Sequence, residues 1–320
     1  MTQATPNPPA RDAKAAHATA PAANACDLCL QVGNTPLVRL TRLARAVAPV
    51  EVYGKAEWFN PSGSVKDRAG LSIIRAGLAD GSLTPARTIL DATSGNTGIA
   101  YAMLGAALGY HVKLVMPLNV SRERKHILAA YGAEMVFTDP MLGGNGAIHR
   151  ARELYEAAPD EYFYANQYDN EANWRAHYET TAEEIWLQTE GRITHFVAGL
   201  GTAGTFVGVT RRLRELNPRI QCISLQPDSA VNAIEGWKYM PTAILPKIYD
   251  PHLADENIEI RTEDAQVMAV RMAREEGLFV SPSAGAAAVG ALAVASRLSS
   301  GVVVTIFADA GYKYMSEGLW

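Results

Sequence analysis

A chain of 320 residues, 48% of them apolar, exceeds the usual size of one hydrophobic core and can bury two α/β halves around a ligand cleft. Its 29 Lys and Arg against 33 Asp and Glu leave a net charge of −4 without a basic block, which argues against nucleic acid or an anionic membrane as partner and favours small molecules. No apolar run approaches a membrane span, the first 25 residues lack the apolar centre of a secretion signal, and three cysteines are too few for a disulfide scaffold, so a cytoplasmic location is expected.

Residues 1–25 are rich in Ala, Pro and Thr without a hydrophobic period and read as a flexible tail. Cys26-Asp-Leu-Cys29 has the spacing of a metal or redox pair, but no second Cys/His pair follows, so structural thiols are preferred and no metal is expected. From Gln31 onward, β-branched apolar runs alternate with amphipathic stretches. Strands are predicted at Val50–Ala56, Thr88–Ala92, Val112–Met116, Glu134–Thr138, Ile193–Ala198, Ile220–Leu225 and Val302–Phe307. Helices are predicted at Arg68–Ala79, Thr97–Leu108, Arg122–Tyr131, Ala147–Ala157 and Phe206–Leu216. Such alternation predicts an α/β fold of two doubly wound domains, with parallel sheets covered by helices on both faces. A break near Pro159–Tyr164 predicts an N-terminal α/β domain over 26–160 and a C-terminal one over 161–320 that carries a phosphate loop. Within the first, a subdomain of about 112–155 is expected to move as the cleft closes.

Four strand-to-helix junctions have compositions that packing alone does not require. In Asn60-Pro-Ser-Gly-Ser-Val-Lys-Asp-Arg68, Lys66 follows a flexible loop and begins a helix, where the dipole disfavours its ammonium form and suits Schiff-base chemistry; an ordinary first-turn lysine is the alternative. Thr93-Ser-Gly-Asn-Thr-Gly98 opens the next helix with hydroxyls, an amide and free N–H groups, a site for a carboxylate or phosphate. Capping would explain Thr93 or Ser94 but not Gly95, Asn96 and Gly98 together. Gly199-Leu-Gly-Thr-Ala-Gly-Thr205 can wrap a phosphate in N–H donors. It also matches the dinucleotide pattern Gly-x-Gly-x-x-Gly, but Gln226 stands where an acidic residue is expected, which counts against an NAD oxidoreductase. In Ser281-Pro-Ser-Ala-Gly-Ala286, Ser283 is the expected N-cap of a long Ala-rich helix.

Together with Asn34-Thr-Pro-Leu37 and Met116-Pro117, these segments occur in the order found in the cysteine synthase and cystathionine β-synthase family, which the chain resembles from about Leu30 to Leu319. The resemblance implies the pyridoxal-phosphate fold of type II, like the tryptophan synthase β chain, with pyridoxal 5'-phosphate held on Lys66 as a Schiff base. It implies that Asn96 bonds the cofactor's phenolic oxygen, that Gly201, Thr202, Ala203, Gly204 and Thr205 cradle its phosphate, and that Ser283 meets the pyridine nitrogen. Thr93, Ser94, Thr97 and Gln167 would receive the substrate carboxylate. The family loop usually has Gly where this chain has Ala203. The implied activity is cysteine synthesis: β-replacement on O-acetylserine or O-phosphoserine by a sulfide donor through an aminoacrylate, in a homodimer, with a serine acetyltransferase or a sulfur-carrier protein as possible partner. A neutral serine at the ring nitrogen favours elimination over transamination.

Two alternatives stay open at this stage. His177-Tyr-Glu-Thr-Thr181 resembles cystathionine β-synthase as much as cysteine synthase, although no regulatory domain is appended. A non-catalytic paralogue binding a partner peptide is the other, opposed by intact Lys66, Asn96 and Ser283. Many family members carry a Gly-Ile-Gly element where this chain has Glu235-Gly-Trp-Lys-Tyr-Met-Pro241. The stretch Trp237–Pro251 and the Ala308-Asp-Ala-Gly-Tyr-Lys-Tyr314 end resemble the O-phosphoserine branch, with Lys238 expected to meet the leaving group or else to be a solvated surface lysine.

Overall fold

The computed structural model describes residues 26–93 and 95–320; the expected tail lies outside them, as does Ser94. Among the described residues ten strands form two sheets. The large sheet has the order β1 (Leu37–Arg39), β2 (Glu51–Ala56), β10 (Val302–Phe307), β7 (His195–Gly199), β8 (Gln221–Pro227) and β9 (Glu256–Ile260), parallel except for β1 against β2. The small sheet, parallel throughout, has the order β5 (Glu134–Thr138), β4 (Val112–Pro117), β3 (Thr88–Ala92) and β6 (Tyr162–Tyr164). Central strand β10 is buried at every residue, which is why Val302–Phe307 reads as a near-continuous apolar run. Its one polar side chain, Thr305, donates to the carbonyl of Val197 at 2.7 Å.

The predicted strands and helices are present, but the sheets do not divide at the predicted boundary. β1 and β2 join the C-terminal strands, and β6, which the boundary assigned to the second half, pairs with β3. The chain begins in the large sheet, crosses to build the small one, and returns. Parallel neighbours are joined by crossovers, so pairing is settled by which faces can be buried together and not by order along the chain.

Helices α1 (Lys66–Ala79), α2 (Asn96–Leu108), α3 (Arg122–Ala130) and α4 (Gly143–Ala157) pack around the small sheet. Those around the large sheet include α6 (Ala182–Gln188), α7 (Gly204–Leu216), α8 (Thr262–Arg271) and α9 (Pro282–Ala295), and α5 (Glu171–Ala176) bridges α1 and α7. α2 and α9 are Ala/Gly-rich and buried nearly all round, and both begin at the cleft between the sheets. An ion cluster fixes the start of α1. Arg68 grips Glu57 (2.7 Å) and Glu184 (2.6 Å), and Lys55 pairs with Glu184 (2.6 Å), tying α1 to β2 and α6 beneath Lys66. Leaving any member of such a buried cluster unpaired would be costly, so the first turn of α1 has little freedom. Among the described residues no helix is long and apolar enough to cross a membrane.

Candidate active site

Lys66 is the first residue of α1, and its side chain lines the cleft. The loop before it is anchored by Val65 N–H to the carbonyl of Ala308 (2.9 Å), and Gly63 accepts from Lys313 Nζ (3.1 Å). Among the described residues no acceptor lies within hydrogen-bond reach of its ammonium. Burial pushes that group below the usual lysine range; Asp309 and Glu57 pull it back up and Lys313 adds to the depression. The depression expected from the helix dipole is therefore accounted for first by burial.

The loop between β7 and α7 wraps one end of the cleft. Ala203 has φ +68°, the left-handed region, at a cost of roughly 1 kcal/mol for a residue with a Cβ, which explains why Gly is usual there. A Cβ at Gly201 would run into the carbonyl oxygen of Gly236, and one at Gly204 into Asn173 Oδ1, so both glycines are required by close approach. The first-turn N–H groups of α7 have no acceptor within the helix and face the same end. Two residues to which the sequence had assigned no site role brace this loop. Asn173 Nδ2 donates to Thr202 Oγ1 (3.0 Å) and to the Gln167 carbonyl (2.7 Å). His177, kept neutral by burial that lowers its pKa to about 3, contacts Thr205 Oγ1 (3.2 Å) and Thr181 Oγ1 (2.9 Å). Gln226, the residue that counted against a dinucleotide site, spends its side chain on Glu259 (3.2 Å) and the Met240 N–H (3.4 Å).

Ser283 is not the N-cap of α9. Ser281 holds that place, accepting from the Ala284 N–H, because Pro282 suits the first helical position and forces an extended residue before it. Ser283 lies one turn position inside, its hydroxyl 3.0 Å from that of Ser281, and lines a cavity with Lys66, Asn96 and the 201–205 loop. Burying a hydroxyl there without further need would be wasteful, so its place in the wall favours a ligand role.

An adjoining cavity is lined by Lys66, Thr93, Asn96, Thr97, Gln167 and Lys238. Thr93 Oγ1 accepts from the N–H groups of Gly95 and Gly98, both at 3.2 Å, so it caps α2 while its own hydrogen remains available. Thr97 donates to Gln167 Oε1 (2.7 Å) and Gln167 Nε2 to the Ala92 carbonyl (2.7 Å), which leaves one Gln167 N–H for a ligand. Lys238 is partly buried, with Nζ 4.2 Å from the ring centroid of Tyr168 and no carboxylate partner among the described residues. Burial lowers its pKa to about 8, so it is not the solvated surface lysine of the alternative reading.

Further charged groups close the cleft; Glu235, Asp309 and Lys313 lie in the segments 235–241 and 308–314 marked out by the resemblance, but neither they nor Arg124 had a site role from sequence. Arg124 on α3 pairs with Glu235, lies 4.8 Å from the Tyr314 ring centroid, and so spans from the small sheet to the large one. Lys313 Nζ donates to Asn96 Oδ1 (2.9 Å), and Asp309 Oδ2 accepts from Asn96 Nδ2 (2.9 Å) and the Tyr314 hydroxyl (2.8 Å). Their only local signal is a charged residue in an otherwise apolar stretch, as in Phe307-Ala-Asp309.

The donor set fits pyridoxal 5'-phosphate. A helix N-terminus with glycines that a Cβ would obstruct suits the phosphate, a lysine with no ion-pair partner in reach among the described residues suits the aldehyde, and a buried hydroxyl and an amide stand at the cavity wall between them. A sequence profile of the family described as "Pyridoxal-phosphate dependent enzyme" matches residues 28–309. A protein named "Cysteine synthase" from Aquifex aeolicus is 48% identical over 295 residues, covering 90% of each chain. A solved cysteine synthase from Entamoeba histolytica superposes with a TM-score of 0.87 at 33% identity, covering 100% of this chain and 94% of that one. A solved O-acetylserine dependent cystathionine β-synthase from Helicobacter pylori reaches a TM-score of 0.85 at 34% identity, covering 92% of this chain and 98% of that one.

Proposed function

The chain belongs to the family of pyridoxal-phosphate dependent enzymes, and on that premise we propose that it is a cysteine synthase, which replaces the β-substituent of an O-activated serine with sulfur. The observation that carries this reading is the meeting of Lys66, the 201–205 loop and Ser283 around one cavity, with Thr93, Thr97 and Gln167 on the wall of the next.

When bound, the cofactor supplies an electron sink beside Cα, which acidifies the Cα proton and lets the β-substituent depart. The N–H groups and hydroxyls from Gly201 to Thr205 hold its phosphate, with neutral His177 steadying Thr205. Ser283 would meet the ring nitrogen as an uncharged hydroxyl and Asn96 would donate to the ring oxygen. Thr93, Ser94, the backbone N–H of Thr97 and the free N–H of Gln167 take the substrate carboxylate, which orients the Cα hydrogen towards Lys66. Lys66 holds the cofactor at rest. Its released amine, disfavoured as an ammonium by burial, accepts the Cα proton and later returns it. The leaving group departs with the Cβ–O electron pair and hydrosulfide supplies the pair for Cβ–S, so O-acetylserine and hydrosulfide give cysteine and acetate. Lys238, a cation at the cavity wall with no carboxylate partner among the described residues, favours the more highly charged leaving group and hence O-phosphoserine over O-acetylserine.

Homocysteine as the sulfur nucleophile is a second reading. It is supported by a further cavity beyond Lys238, lined by Tyr168, Trp237 and Tyr239, with room for a longer thiol. A cytoplasmic homodimer belongs to the same proposal, and three buried free thiols accord with a reducing compartment. The purified protein is expected to show a visible cofactor band, and borohydride reduction with peptide mapping should place the pyridoxyl group on Lys66. Assays of O-acetylserine, O-phosphoserine and serine, each with sulfide or homocysteine, then rank the substrates. An adduct on another lysine, or no turnover with any pair, overturns the proposal.

A further inference from the structure

Asn96 opens α2 with a carboxamide whose two orientations, related by a half-turn of the terminal torsion, are nearly equivalent for an isolated side chain. Here they are far from equivalent. Lys313 Nζ donates to Oδ1 at 2.9 Å while Nδ2 donates to Asp309 Oδ2 at 2.9 Å. A flip would turn the amide hydrogens towards an ammonium and the amide oxygen towards a carboxylate, exchanging two charge-assisted bonds for two repulsions.

Both partners are themselves held in place. Lys313 is 1% exposed and Asp309 0% exposed. The Tyr314 hydroxyl donates to Asp309 Oδ2 at 2.8 Å, and the Ser281 N–H donates to the Asp309 carbonyl at 3.2 Å, which links this residue to the start of α9 near Ser283. Lys313 Nζ also donates to the Gly63 carbonyl, three residues before Lys66. Asp309 Oδ1 is buried with no partner among the described residues, an arrangement that stability alone would not retain. An amide at position 309 could present either end to Asn96, whereas a carboxylate can only accept, so the negative charge settles the orientation. With one Nδ2 hydrogen on Asp309 and the carbonyl on Lys313, the second Nδ2 hydrogen is left for the cavity that Asn96 shares with Lys66 and Ser283.

We propose that Asp309 and Lys313 are positioning residues that hold the Asn96 carboxamide in one orientation, so that an N–H and not a carbonyl oxygen faces the ring oxygen of the cofactor. This rests on the pyridoxal-phosphate reading above. A donor at that point stabilises negative charge on the ring oxygen, while a carbonyl would repel it.

The test compares absorption spectra, their pH titrations and cofactor dissociation constants for the unaltered protein and the variants D309A, D309N, K313M, K313R and N96A. D309A and K313M are expected to retain a visible band whose maximum and titration midpoint are displaced in the same direction as in N96A, with cofactor binding weakened at least about tenfold. D309N, nearly identical in shape, should move the band in that direction by less, and K313R, which keeps a donor, should leave it in place. The double variant N96A/D309A should show no larger displacement than N96A alone, because Asp309 acts through that amide. Unchanged bands in D309N and K313M, or displacements in the double variant that add, would overturn the proposal even if D309A does not fold. The absence of a band in the unaltered protein would instead overturn the cofactor reading on which it rests.

Discussion

Replacement of Lys238 by methionine is the sharpest test of the leaving-group assignment, because the structure gives this residue its own pH signature. Burial lowers its pKa from 10.5 to about 8, and no carboxylate among the described residues offsets the loss of hydration. Such a group is about nine-tenths charged at pH 7 and about one-tenth charged at pH 9. The second ionisation of a phosphate monoester is near 6, so the substrate keeps its charge across that interval. The ratio of kcat/KM for O-phosphoserine to that for O-acetylserine should therefore fall about fivefold from pH 7 to pH 9, equivalent to roughly 1 kcal/mol. Lys66 and the carboxylate loop serve both substrates and cancel in the ratio. In Lys238→Met the ratio should be about tenfold lower at pH 7 and flat with pH. Linkage adds a stability readout. Between about 8 and 10.5 the unfolded chain binds the proton more tightly than the folded one, so this lysine costs stability at neutral pH and the cost fades as pH rises through that window. Lys238→Met should accordingly raise Tm at pH 7 more than at pH 10. A ratio that does not respond to pH in the unaltered enzyme, or equal losses on both substrates in the variant, would refute the assignment.

Gly201→Ala should cost at least about tenfold in cofactor affinity with little change in secondary structure, since its Cβ would meet the backbone of Gly236; circular dichroism and titration of the apoprotein measure both. Residues 112–155 should gain protection from hydrogen exchange when an amino-acid substrate saturates the enzyme, because α3 reaches across the cleft through Arg124 to Glu235. Glu235→Gln should reduce that gain and raise KM more than it lowers kcat; unchanged exchange in the unaltered enzyme would show that this segment does not close.

The alternation of apolar runs and amphipathic stretches was enough to identify an α/β protein and most of its elements, because a strand buried on both faces leaves a short β-branched apolar run, as in Val302–Phe307, and a helix packed on one side leaves a helical period, as in Arg68–Ala79. Short or exposed elements left no such mark. β9 spells Glu-Asn-Ile-Glu-Ile and carries its strand geometry through pairing with β8 alone. The site was legible wherever chemistry requires a special backbone at a strand-to-helix junction, so Lys66, the Thr93–Gly98 loop and the Gly199–Thr205 loop stand out from the sequence. Three things needed the tertiary structure. Sheet membership did, because β2 and β10 are neighbours only after the whole chain has crossed between sheets. The bracing of the 201–205 loop did, because Asn173 and His177 reach Thr202 and Thr205 only once the segment 171–181 packs against α7. The charged groups around Asn96 did as well. Asp309 and Lys313 lie more than two hundred residues from it, and a buried charge takes its meaning from the partner that offsets it, which only packing supplies.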